Sequence, residues 1–85
     1  MGIAKGPDSA RLGWAVRVLR AERELSQEKL GRAARLHRNY VGAIERGEIN
    51  PTFRVLLKVA GGLEMPLSEV VARYEKAPPR DRMRR

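Results

Sequence analysis

The sequence predicts an all-α domain of five short helices, and three observations carry that prediction. Apolar residues recur at helical spacing in five separate stretches of the 85-residue chain. Capping residues, glycines and prolines fall between those stretches. No stretch alternates apolar and polar residues as a half-buried strand does, and no internal repeat appears.

Asp8 or Ser9 is expected to cap a first helix that runs to about Arg23. In it Leu12, Ala15, Val16 and Leu19 fall at i, i+3, i+4 and i+7, a single apolar stripe. Val18 and Trp14 lie beside the stripe, and Trp14 reads as a packing or dimer-edge residue. Ser26 caps a second helix that buries Leu30, Ala33 and Ala34, with Glu28 suited to its positive first turn. After a tight turn, a third helix begins near Arg38, buries Val41 and Ile44, and stops at Gly47, which takes the left-handed conformation cheaply. The second and third helices form a helix-turn-helix unit, whose second helix has the size and polarity to enter a major groove of DNA.

Glu48-Ile49-Asn50-Pro51 forms a loop. Thr52 caps a fourth helix with Phe53, Leu56, Leu57, Ala60 and Leu63 expected to face inward, and Gly61 and Gly62 weaken its last turn. Pro66 fits the first turn of a fifth helix, where a missing amide is harmless, and Leu67, Val70, Val71 and Tyr74 give that helix its apolar face. The expected organisation is a flexible start over 1–7, a folded domain over 8–75 and a disordered basic tail over 76–85, rich in proline and arginine.

A chain of this length holds one small core near the lower limit for independent folding, so a homodimer is a natural way to bury more apolar surface. No cysteine is present, which excludes a disulfide framework and a thiolate metal site and suits a reducing cytoplasm. No apolar run approaches the roughly 20 residues that cross a bilayer. The opening MGIAKGPDSA lacks the apolar block of a secretory signal, and Gly6 stands where a myristoylation motif needs Ser or Thr. The expected location is therefore cytoplasmic, with no membrane partner.

The net charge is +8, and half of it lies in the last ten residues, where Lys76, Arg80, Arg82, Arg84 and Arg85 face only Asp81. Such charge draws a chain towards phosphates without selecting a sequence. Residues 27–46 carry five basic residues against two acidic ones, so the helix pair is itself basic. There is no glycine-rich phosphate loop, no metal-ligand cluster, and no nucleophile with its base and orienting group. The reading is a non-enzyme without cofactor, metal or evident small-molecule ligand.

Several separated landmarks occur in order: Leu25-Ser26-Gln27-Glu28-Lys29-Leu30, then Arg38-Asn39-Tyr40-Val41, Ile44-Glu45-Arg46-Gly47-Glu48 and Asn50-Pro51-Thr52. Over residues 12–74 the chain resembles the phage repressor and Cro-like, or xenobiotic-response-element type, helix-turn-helix family. In size it is similar to small stand-alone members such as restriction-modification controller proteins. The resemblance implies a lambda-repressor-like domain that binds double-stranded DNA as a homodimer and regulates transcription, with its own gene among the targets. It also implies roles. Arg38, Asn39 and Ala43 match base-reading positions: arginine can grip guanine O6 and N7, asparagine adenine N6 and N7, and the alanine methyl can touch thymine. Gln27 matches the glutamine that grips a phosphate and braces the recognition helix. Tyr40 and Arg46 match flanking phosphate contacts, and His37 and the Gly47–Asn50 loop, including Asn50, join that group. Arg20 and Glu45 resemble a structural ion pair between the first and third helices.

The chain departs from the family pattern at three positions. Arg35 occupies the place of the usual turn glycine, His37 the place of a Ser or Thr cap, and Glu64 the place of a glycine after the fourth helix. A rival reading keeps the same fold as a protein-interaction module, an antitoxin or anti-activator, which would use an exposed apolar face.

Overall fold

The computed structural model describes residues 6–79. It contains α1 (Pro7–Glu22), α2 (Gln27–Ala34), α3 (Arg38–Glu45), α4 (Phe53–Gly62) and α5 (Leu67–Glu75), with no strand among the described residues. The expected flexible start and basic tail fall outside the described residues at 1–5 and 80–85. No helix among the described residues is long and apolar enough to cross a membrane.

The helices pack around one core of Val16, Leu19, Leu30, Ala34, Val41, Ile44, Val59, Ala60, Leu63 and Val70. α2 lies against α3 and α4, α1 against α3 and α5, and α4 against α5. α1 therefore spans the back of α3 and leaves the other side of that helix open. The crossing is close at Gly13, where a Cβ would collide with the backbone carbonyls of Ile44 and Glu45. Gly31 plays the same part at the turn, since a Cβ there would come within 2.5 Å of the Leu36 carbonyl oxygen.

Ser26 caps α2 and Thr52 caps α4, each hydroxyl accepting from the amide three residues on, at 3.0 and 3.2 Å. The start of α1 differs from expectation. Its N-cap is Gly6, Pro7 enters the first turn, Asp8 is an uncapped first-turn acid and Ser9 is buried. Proline at the first helical position pre-sets the backbone dihedral and needs no amide partner, which moves the start one turn upstream of a Ser9 cap. Pro66 sits at the N-cap of α5 rather than within its first turn.

The inward faces also need correction. Ala33 is exposed, because the buried row of α2 is Leu30 and Ala34, one turn apart. On α4, Phe53 and Leu57 are 67% and 46% exposed, and Val59 takes the core position instead. The inward row is Leu56, Val59, Ala60 and Leu63, at i, i+3, i+4 and i+7; Phe53 and Leu57 belong to the row beside it. Val71 on α5 is likewise 41% exposed, whereas Val70 is fully buried.

Four helices end in the same way. An amide two or three places beyond the helix bonds a carbonyl five residues back: Leu25 to Arg20, Leu36 to Gly31, Glu48 to Ala43 and Met65 to Ala60, at 3.1, 2.7, 3.0 and 3.1 Å. The residue between takes positive φ: Glu24, Arg35, Gly47 and Glu64, at 58°, 60°, 71° and 58°. This is the Schellman end, and its usual apolar follower is present as Leu25, Leu36 and Met65, each packed against the core. Only one of the four left-handed positions is glycine, so three side chains sit in a region that disfavours a Cβ.

That strain gives a direct test. Arg35→Gly should raise stability by about 0.5–1 kcal/mol in urea denaturation, relief of the left-handed strain exceeding the added freedom of the unfolded chain. A loss of stability would mean that the Arg35 side chain holds the turn.

Candidate nucleic-acid interface

α3 is held at both ends. At its start the imidazole of His37 takes the N-cap position, and its Nδ1 accepts from the Asn39 amide at 3.0 Å. A neutral imidazole that accepts at Nδ1 carries its proton on Nε2. His37 is exposed, so that N–H is free to meet an anion. The first turn of α3 contains no acid, unlike those of α1, α2 and α5. Arg38 at the first helical position adds a cation to the positive end of the helix dipole. That arrangement disfavours the isolated helix and suits contact with a polyanion.

At its end α3 is fastened through Glu45. The Glu45 side chain is 4% exposed and forms a two-point pair with Arg20, 17% exposed: Nε donates to Oε2 at 2.5 Å and Nη2 to Oε1 at 2.9 Å. The remaining Arg20 nitrogen, Nη1, donates to the Leu25 carbonyl at 2.8 Å. Gln27, from the start of α2, donates its Nε2 to Glu45 Oε1 at 2.9 Å. One carboxylate thus joins α1, the α1–α2 corner, α2 and α3. Hydrogen bonding to Glu45, partly offset by burial, raises the Arg20 pKa above its ordinary value.

Between these anchors Val41 and Ile44 are buried, while Arg38 and Asn39 are exposed and Ala43 is half-buried. Tyr40 is half-buried, with its ring against the core. Arg46 is exposed and forms a two-point contact with Glu48, at 2.8 and 3.2 Å, whose hydrogen bonds raise its pKa. Asn50 is exposed in the loop before Pro51. Gln27 is half-buried, with its amide nitrogen committed to Glu45. Arg38 and Asn39 therefore stand together with His37 at one end of α3, Arg46 follows the other end, and Gln27 backs the helix from α2.

The sequence places His37 at the cap of α3, and the structure agrees, with the imidazole making the cap bond to the Asn39 amide. Sequence reasoning missed the cluster of Glu28, Arg32 and Arg38: Glu28 and Arg32 lie one turn apart on α2 and bond at 3.0 Å, and Arg38 joins them at 3.8 Å from the next helix. The first pair is readable from i, i+4 spacing; the third member requires the fold. No group of residues suited to a metal ion occurs among the described residues.

The family pattern described as Helix-turn-helix matches residues 16–70, and the chain belongs to that family. Among its relatives, the immunity repressor protein of Bacillus phage phi105 is 38% identical over 60 residues, 71% of this chain and 42% of that one. The control protein C.SmaI of Serratia marcescens is 38% identical over 58 residues, 68% of this chain and 69% of that one. The chain thus spans less than half the length of the phage repressor. Among solved structures, the restriction-modification controller protein C.AhdI from Aeromonas hydrophila superposes with a TM-score of 0.75 at 37% identity, over 76% of this chain and 98% of that one.

Glu45→Gln should lower stability by about 2–3 kcal/mol in urea denaturation, somewhat less than for a fully buried pair because Arg20 keeps some solvent. An unchanged midpoint would show that α3 is held by its apolar contacts alone.

Proposed function

We propose that this chain is a sequence-specific DNA-binding transcriptional regulator that docks α3 in the major groove. The observation that carries the reading is the exposed, acid-free start of α3, where Arg38 and Asn39 project from a helix fastened through Glu45. Arg38, Asn39 and Ala43 read base edges. Gln27, His37, Tyr40, Arg46 and Asn50 set the register on phosphates. For Gln27 the contact falls to the second N–H of the amide nitrogen, since the first serves Glu45.

The working unit is a homodimer. Phe53, Leu57 and Val71 leave an apolar surface on α4 and α5 that a second copy would cover. Two recognition helices about 34 Å apart would then meet a pseudo-palindromic site. The names of the phage repressor and the control proteins support regulation of a small set of promoters, this chain's own among them. The same apolar surface is what the rival reading, a protein-interaction module of the antitoxin or anti-activator kind, would use.

Selection from a randomised duplex pool, followed by anisotropy with the enriched duplex and a scrambled control, decides between them. The wild-type chain should prefer the enriched duplex by about 10³-fold or more, two protomers binding cooperatively. Arg38→Ala should weaken that complex by about 1–3 kcal/mol and relax preference at one base position. No enrichment, or equal salt-sensitive binding to both duplexes, would favour the protein-interaction module.

A further inference from the structure

We propose that Glu28 is a positioning residue for Arg38 and thereby sets how strictly the recognition helix reads its base; this rests on the DNA-binding reading above. Glu28 belongs to α2, and it is the only acid within ion-pair distance of Arg38 among the described residues. Its two oxygens are divided between two cations. Oε2 accepts from Arg32 Nη2 at 3.0 Å, and Oε1 faces Arg38 Nη1 at 3.8 Å. The Arg32 contact comes from one turn along the same helix, so it biases the carboxylate towards this orientation. Glu28, Arg32, Leu36, His37 and Arg38 line a single cleft between α2 and the start of α3.

Arg38 is a long side chain, 62% exposed, at the mouth of that cleft. Left to itself, its guanidinium would meet a backbone phosphate as readily as a base edge, and a phosphate contact carries no sequence information. A carboxylate beside it opposes the first outcome by repelling phosphate. It supports the second, because a guanidinium has five N–H donors and a two-point contact with guanine uses only two. Exclusion of water on docking strengthens the attraction between the two side chains. Glu28 therefore acts on specificity through Arg38, without touching DNA.

The test compares the 85-residue wild type, Glu28→Gln, Arg38→Ala and the double variant by selection from a randomised duplex pool, with melting temperature as a check on folding. Glu28→Gln should loosen preference at the one base position that Arg38→Ala loses, by up to about fivefold, and strengthen binding to a scrambled duplex. The double variant should show the same preference as Arg38→Ala alone. Stronger binding to every duplex with that preference intact would overturn the proposal, leaving Glu28 as a general repulsive charge. A loss spread over all positions, with a lowered melting temperature, would overturn it in favour of a structural role. No enrichment by the wild type would overturn the DNA-binding reading and this proposal with it, an outcome distinct from both others.

Discussion

Glu45 stands at the last turn of α3 with a carboxylate almost removed from water, and the placement of the whole helix pair depends on how that charge is satisfied. A buried carboxylate is tolerated only when its oxygens are bonded and its charge is met. Here both conditions are fulfilled by residues from two other helices, Arg20 and Gln27. Arg20 spends its third nitrogen on the Leu25 carbonyl, the residue that closes the Schellman end of α1. The bonds therefore fix three things together: where α1 stops, where α2 starts and how far α3 is turned about its axis. Apolar packing at Val41 and Ile44 chooses which side of α3 faces inward, but such packing is non-directional and tolerates sliding. The directional bonds at Glu45 supply the register that a base-reading end needs.

The other end of α3 shows the opposite character. His37, Arg38 and Asn39 are exposed, and among the described residues their side chains meet only the Asn39 amide, through the imidazole cap, and the Glu28 carboxylate. The far end is fastened by a buried charge, and the near end is capped but solvated, so its side chains face outward to meet a surface. The cations placed at the positive end of the helix dipole oppose local stability. Local cost of that kind is expected where a sequence serves a partner rather than its own fold.

The existence and order of all five helices were legible because each carries its own apolar spacing and stop signal. What was not legible is the rotational phase of α4. Between Phe53 and Leu63 apolar residues stand at 53, 55, 56, 57, 59, 60 and 63, so nearly every face of the helix is apolar and spacing alone selects no inward row. Contact with α2 chooses the row containing Val59, and Phe53 and Leu57 are left outside. The start of α1 was displaced for a simpler reason: Asp8 and Ser9 are good caps in isolation, yet Pro7 already provides a helical first turn. The family glycines replaced by Arg35 and Glu64 proved informative, because both residues adopt the left-handed conformation that glycine would supply. The fold keeps the geometry and accepts the strain. At the candidate site, Arg20, Gln27 and Glu45 could be named from the resemblance, but their convergence on one carboxylate required three helices to be brought together.

The central claim is that the open end of α3 is the surface that meets DNA. Amide chemical-shift mapping of the labelled protein, titrated with a duplex enriched by selection, tests it most directly. The account predicts the largest changes at His37, Arg38, Asn39 and Ala43, with a second group from Arg46 to Asn50 and little change at Val16 or Val70 in the core. Changes concentrated at Phe53, Leu57 and Val71, with the start of α3 undisturbed, would contradict it.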